Sequence, residues 1–212
     1  MKRAIIFYNG NLSDFRNAKQ YIKKTDYIIC ADGGAKHALE LSIKPDIIIG
    51  DFDSLSKQEQ KKFSEEQIAY VKYKTEKDET DSELALQYAL DKGFKTIFLF
   101  GILGSRIDHM LTNIFALDYL LSVKAAVTII EGNQEIRLIR NKIKLQGKKG
   151  DLVSIIPFKS DAKKVTTKNL KYPLKNADLK FGYSRGISNV LEKDTAEISL
   201  ASGSLLVIHT NV

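Results

Sequence analysis

Residues 27–53 read Tyr27-Ile28-Ile29-Cys30-Ala31-Asp32-Gly33-Gly34-Ala35-Lys36-His37-Ala38-Leu39-Glu40-Leu41-Ser42-Ile43-Lys44-Pro45-Asp46-Ile47-Ile48-Ile49-Gly50-Asp51-Phe52-Asp53. Two short apolar runs, 27–31 and 46–49, lack the in-out alternation of a half-exposed strand, so they read as strands covered on both faces. A helix pattern over 34–41 joins them, and each run gives way to aspartate and glycine. Strands of this kind joined by a helix belong to a parallel sheet, whose ligands bind beyond the carboxyl ends of the strands.

The same rhythm extends in both directions. Further buried-strand runs lie at 4–8, 96–100 and 126–130, with helix patterns at 14–24, 56–66, 81–92 and 107–123. Residues 1–132 therefore predict a doubly wound, mainly parallel α/β domain. After Gly132 the pattern changes to short strand candidates at 136–140, 143–145, 152–157, 188–191, 196–199 and 205–209, separated by turns such as Gly147-Lys148-Lys149-Gly150. With no helix pattern there, residues 133–212 predict a small all-β sandwich.

The 212 residues are 43% hydrophobic and 28% charged, which excludes a disordered or coiled-coil chain. The single cysteine, Cys30, lies in a buried-strand pattern and cannot form an internal disulfide; it reads as a small core residue in a reducing compartment. No signal-peptide core opens the sequence and no apolar run is long enough to span a bilayer, so a soluble, cytoplasmic protein without a membrane partner is expected. The net charge of +7 is uneven, about −1 over residues 1–132 and +8 over 133–212. Such asymmetry suits a basic nucleic-acid module or a lysine-decorated surface. The pairs Lys148-Lys149 and Lys163-Lys164 sit in turn-like segments without interleaved aromatics or arginines, which favours the surface and no nucleic-acid partner.

Acidic residues gather where strands end: Asp32, then Asp51 and Asp53 in Gly50-Asp51-Phe52-Asp53-Ser54, then Asp78 and Asp81 in Lys77-Asp78-Glu79-Thr80-Asp81. Any one of them can be a turn or cap residue, and helix capping is a rival role for Asp81. Five at one sheet edge repel one another and call for a cation or some protonation; hard carboxylate oxygens beside glycine-rich backbone suit Mg²⁺ carrying phosphates. A second constellation, Gly101-Ile102-Leu103-Gly104-Ser105-Arg106-Ile107-Asp108-His109 with Asn113, passes from a strand through a glycine turn into a long helix. It offers backbone N–H groups, a positive helix end and a guanidinium to an anion. It lacks the Gly-Lys-Ser/Thr of a P-loop. His109, beside an aspartate, has a structural role as its alternative to catalysis, and His37 and His209 show no metal-ligand spacing. Gly182 to Asn189 is an ordinary turn by itself or a hydrogen-bonding surface for a polar heterocycle.

Taken in order, 31–35, 50–54, 77–85, 101–113 and 185–189 resemble the thiamine pyrophosphokinase family, across nearly the whole chain. The resemblance implies an α/β catalytic domain followed by a β-sandwich, and transfer of the pyrophosphoryl group of ATP to the hydroxyethyl oxygen of thiamine, giving thiamine diphosphate and AMP. It also implies Mg²⁺ and a homodimer with active sites between subunits. By motif, Asp51, Asp53, Asp78 and Asp81 would hold the metal. Asp32, Gly33, Gly101, Gly104, Ser105, Arg106, Asp108, His109 and Asn113 would line the nucleotide site. Ser188 and Asn189 would contact the thiamine pyrimidine, in a second domain that also dimerises. Catalysis would fall to Asp53, Asp78, Asp81, Arg106 and Asp108, with Asp78 or Asp108 orienting or deprotonating the hydroxyl. Some members stack a tryptophan on thiamine; this sequence has none, so another side chain must serve. The competing readings are a basic nucleic-acid-binding protein and another Mg²⁺-dependent Asp-x-Asp nucleotide enzyme such as a glycosyltransferase. A phosphatase of the haloacid dehalogenase type is excluded because Asp53 is followed by Ser54-Leu55.

Overall fold

A computed structural model describes every residue except Met1, Ser13, Phe52, 73–78 and Ser105. The chain forms two compact units, Met1–Gly132 and Asn133–Val212.

The first unit contains β1 (Arg3–Phe7), α1 (Phe15–Tyr21), β2 (Tyr27–Ala31), a 3-10 turn at Asp32–Gly34, α2 (Ala35–Glu40), β3 (Ile47–Gly50) and α3 (Lys57–Glu65). It continues with β4 (Ala69–Lys72), α4 (Asp81–Asp91), β5 (Thr96–Phe100), α5 (Ile107–Ser122) and β6 (Ala126–Glu131). The strands lie side by side as β6-β5-β1-β2-β3-β4, and every pairing among them is parallel. Strands two to four wind outward from β1 on one side, and β5 returns to its other side. The winding therefore reverses between β1 and β5, where open α/β sheets leave a crevice for a ligand.

Packing explains the unbroken apolar runs. Ile5, Phe7, Cys30, Ile48, Phe63 and Phe100 form one core with almost no solvent exposure. Cys30 is part of it, and burial pushes its thiol up, with the charge of Asp46 adding to that. Helix ends follow local chemistry: Asp14 caps α1 by accepting from Asn17 N, and Ser56 and Glu59 close a capping box on α3. The helix expected over 14–24 is shorter, and the one expected from Gly34 starts at Ala35 because 32–34 form the 3-10 turn. The edge strand β4 has no sequence expectation; its residues are mostly exposed, so no apolar run marks it.

The second unit holds β7 (Gln134–Ile139), β8 (Lys142–Gln146), β9 (Leu152–Pro157), β10 (Ala162–Lys168), β11 (Ala177–Leu179), β12 (Asn189–Val190), β13 (Thr195–Ser199) and β14 (Leu205–Thr210). Antiparallel pairing gives two four-stranded layers, β12-β9-β14-β7 and β11-β10-β13-β8, around Leu145, Val153, Ile155, Val165, Ile198 and Val207. Lys163 and Lys164 belong to β10 rather than to a turn. The register of β10 against β11 shifts between Ala162 and Val165, with Lys164 at φ 52, and that bulge breaks the period-two pattern that would have revealed the strand. At the end of β14, His209 Nε2 lies 2.9 Å from Asp151 Oδ2, both side chains 2% exposed.

Candidate active site

The loops that follow β2 and β3 meet at one sheet edge. Asp32 leaves β2 in the left-handed region at φ 43 and is 7% exposed. Carboxylate oxygens of Asp32, Asp51 and Asp53 all lie within 4.8 Å of one another. Their approach depends on Gly50, whose φ of +147 strains any side chain; a Cβ there would lie 3.0 Å from Asp32 Cβ and 3.2 Å from Asp81 Cγ. Asp81 thus reaches the same corner from the first turn of α4. It is not the cap of that helix: Thr80 accepts from Glu83 N, and Glu83 Oε2 accepts in return from Thr80 N. Asp78 lies outside the described residues. The cluster differs from the expected metal set in including Asp32 itself.

Electrostatics mark Asp32 as the unusual member. Burial raises its carboxyl above the ordinary value; Ser54 and the Gly33 N–H pull it down, and the charges of Asp53 and Asp81 push it up again. Its Oδ1 is buried with no hydrogen-bond partner among the described residues. An orphaned, partly desolvated carboxylate oxygen beside two more carboxylates fits a hard divalent cation. In an octahedral site, oxygens at about 2.0–2.1 Å from the ion stand about 3–4 Å apart, so small closures suffice.

Beside this corner, at the reversal point of the sheet, opens a cleft of about 320 Å³. Tyr8, Asn9 and Gly10 enter it from the loop after β1, Gly101, Ile102 and Gly104 from the loop after β5, and Ser82 from α4. The two loops stay tied beyond the sheet by Gly10 N to Gly101 O at 2.8 Å and Asn11 N to Leu103 O at 2.6 Å. Arg106, His109 and Asn113 complete the lining. His109 and Asn113, four apart on α5, share a helix face. Arg106 is the N-cap residue of α5 and gives no side-chain cap, so its guanidinium is directed elsewhere. It makes a two-pronged contact with Asp108, Nε to Oδ1 at 3.2 Å and Nη2 to Oδ2 at 2.6 Å. That contact holds the Asp108 carboxyl below its ordinary value, helped by the His109 N–H, and raises Arg106. While that contact lasts, the Asp108 carboxylate is a weaker base. Ser105 lies outside the described residues. A larger cavity of about 640 Å³, lined by Lys19, Lys23, Lys44, Asp26 and Asp46, lies at the opposite end of the strands and gathers no cluster of three carboxylates among the described residues.

In the second unit, Ser188 sits at φ 57, and its N–H donates to Ser154 Oγ at 3.0 Å. Asn189 is buried, and its amide is committed internally: Oδ1 accepts from Tyr172 N at 3.0 Å and Val190 N at 2.9 Å, and Nδ2 donates to Tyr172 O at 2.8 Å. It braces the Tyr172 segment. Phe181, Tyr183 and Ile187, in the adjoining loop, are exposed.

Sequence reasoning overlooked Tyr8, Asn9, Gly10, Ser54 and Ser82. The available signal was position, since Tyr8-Asn9-Gly10 follows the strand at which the sheet reverses.

Comparison with known proteins agrees with this architecture. Residues 18–130 match the family model described as thiamin pyrophosphokinase, catalytic domain, and residues 140–205 match thiamin pyrophosphokinase, vitamin B1 binding domain. The thiamine pyrophosphokinase of Bacillus subtilis is 34% identical over 185 residues, covering 86% of each chain. Thiamin pyrophosphokinase 1 of Caenorhabditis elegans is 26% identical, covering 95% of this chain and 86% of the relative. Among solved structures, the crystal structure of the thiamine pyrophosphokinase from Bacillus subtilis superposes with a TM-score of 0.91 at 29% identity over 100% of both chains. The thiamin pyrophosphokinase from Geobacillus thermodenitrificans gives 0.85 at 25% identity, over 100% of this chain and 98% of that one. The nucleic-acid and glycosyltransferase readings find no support among these relatives. On the strength of the catalytic-domain match and the Bacillus subtilis relative, the chain belongs to the thiamine pyrophosphokinase family.

Proposed function

We propose that this enzyme transfers the pyrophosphoryl group of ATP to thiamine with the help of Mg²⁺, at the acidic corner and the adjoining cleft of the first unit. The observation that carries the reading is the buried, unpartnered Oδ1 of Asp32 facing a cluster with Asp51 and Asp53, beside a cleft that carries an arginine. Asp32, Asp51 and Asp53, with Asp81 beside them, would hold the ion. When bound, Mg²⁺ neutralises charge on the phosphate oxygens and favours departure of AMP. The cleft binds and aligns the nucleotide. Backbone N–H groups of the loop after β5 and the positive end of α5 would face its phosphates. Arg106 exchanges the Asp108 carboxylate for phosphate oxygens, which its planar fork matches equally well.

In the reaction, the thiamine hydroxyl oxygen bonds to the β-phosphorus in line with the departing bridge oxygen. The bond from the β-phosphorus to that oxygen breaks, AMP leaves with it, and the hydroxyl proton is released. Such transfer depends on alignment and charge compensation more than on a strong base. In the second unit, Ser188 and the exposed side chains of Phe181, Tyr183 and Ile187 would meet the heterocycle, with Asn189 acting through Tyr172. For the homodimer, Ile107, Leu111, Phe115 and Tyr119, large apolar residues exposed along one side of α5, would add an apolar face in the first unit to the dimerising role expected of the second. No helix of the described residues is long and apolar enough to cross a membrane; a cytoplasmic location accords with the lone buried cysteine. The lysines of the second unit are partly paired, Lys168 with Glu197 at 3.1 Å and Lys163 with Asp161 at 3.1 Å, as on a solvated surface.

The test is a product assay with ATP, Mg²⁺ and thiamine. Thiamine-dependent release of AMP with equal thiamine diphosphate supports the proposal. ADP or free phosphate as the product refutes it.

A further inference from the structure

Asn9, in the loop after β1, and Ser54, after β3, belong to loops on either side of the turn that carries Asp32. Asn9 Nδ2 donates to Ser54 Oγ at 3.4 Å, and Ser54 Oγ donates to Asp53 Oδ1 at 3.2 Å. Burial raises the neighbouring Asp32 carboxyl, and Ser54 works against that rise. Chemistry sets the direction of this chain, because a hydroxyl has one proton and can give it to a carboxylate while accepting from an amide. The Asn9 amide is seated against Gly33, where a Cβ would lie 2.2 Å from Oδ1 and 2.6 Å from Nδ2. Asp32, Asp51 and Asp53 gain a second mark of a ligand site from the buried, unpartnered Oδ1 of Asp32.

We propose that Ser54, oriented by Asn9, is a positioning residue that sets the spacing of Asp32 and Asp53 and thereby the affinity for a divalent cation. The inference rests on assigning the acidic cluster to such a cation. Like-charged carboxylates this close repel one another, and Asp53 is exposed, so without the hydrogen bond from Ser54 its side chain turns toward water. Groups that orient metal ligands commonly change affinity tenfold or more when removed.

The experiment measures Mn²⁺ binding to the full chain without nucleotide by electron paramagnetic resonance, with Mg²⁺ as competitor, and the thermal midpoint in EDTA. Ser54→Ala is expected to weaken Mn²⁺ binding about tenfold with its EDTA midpoint unchanged, and Ser54→Thr, which keeps the hydroxyl, to stay within about twofold of the parent. Asn9→Ala, which removes the donor without adding charge, should weaken binding in the same direction as Ser54→Ala, and parent-like affinity in it would remove Asn9 from the hydrogen-bonded chain. Parent-like affinity in Ser54→Ala, or a Thr variant as weak as the Ala variant, overturns the positioning role and leaves the proposed reaction standing. A parent protein with no Mn²⁺ site that Asp53→Asn removes overturns the cation assignment itself.

Discussion

Gly50→Ala separates the energetics of the fold from those of the site. At φ +147 an alanine is strained by roughly 1–3 kcal/mol wherever it sits. At this position its Cβ also meets Asp32 Cβ at 3.0 Å, Asp81 Cγ at 3.2 Å and Asp32 Cα at 3.3 Å. Carbon atoms settle at about 3.5–4.0 Å, so both neighbours must withdraw by roughly 0.3–0.5 Å. Asp32 has little room to do so, since its backbone is already in a left-handed turn among buried residues. Withdrawal opens the carboxylate cluster, and misplacement of catalytic groups by about 1 Å costs about a hundredfold in rate, so a tenfold fall is expected here. Gly93→Ala is the control: its φ is +79, and its Cβ would meet nothing within 4 Å. Urea unfolding followed by circular dichroism should show both variants destabilised by about 1–3 kcal/mol. Thiamine-dependent AMP release across a Mg²⁺ series should show only Gly50→Ala losing turnover and needing more Mg²⁺. Parent-like turnover and Mg²⁺ half-saturation in Gly50→Ala would refute the reasoning.

Other consequences are more local. Asp53→Ala should abolish AMP release while the thermal midpoint stays near the parent's, because Asp53 is exposed; a folded variant with full turnover removes Asp53 from the mechanism. Arg106→Ala should lower kcat/KM by about a hundredfold, and Lys should restore only part, since it lacks the two-pronged fork. Complete recovery with Lys would show that charge alone is used. In the second unit, Asp151→Asn should cost about 1–3 kcal/mol at neutral pH through its buried hydrogen bonds. Burial pushes the Asp151 carboxyl up, but hydrogen bonds from Lys148 N, His209 and Val212 N outweigh it and leave it below its ordinary value. Below the unfolded value of about 3.9, the unfolded chain takes up the proton first, so stability from this group is present above that pH and lost as pH falls through the folded value. The unfolding free energy of Asp151→Asn should therefore fall less steeply below about pH 4 than the parent's; equal slopes would remove Asp151 from the acid response.

The parallel sheet was legible in the sequence because its central strands are buried on both faces, and Ile5-Ile6-Phe7 or Ile47-Ile48-Ile49 then has no alternative placement. The edge strand β4 and the bulged β10 were not, since exposure removes the apolar signal from one and a register shift breaks the period of the other. The acidic corner, Asp32 included, was expected as a group of strand-end carboxylates; how closely Asp32 approaches Asp51 and Asp53 depends on a turn at φ 43 and on the space that Gly50 leaves. Asp81 illustrates the limit of local reading: its neighbours suggested a cap, and Thr80, one residue earlier, takes that role. Asn189 shows the reverse, a polar residue in a ligand-like motif whose amide also braces its own chain at Tyr172.

The most direct test follows the phosphorus atoms. With ATP labelled separately at the β and γ positions, Mg²⁺ and thiamine, both labels should appear in the thiamine product in equal amounts, and neither should transfer with Asp53→Ala. Transfer of the γ label alone, or of both labels undiminished by Asp53→Ala, would contradict the account.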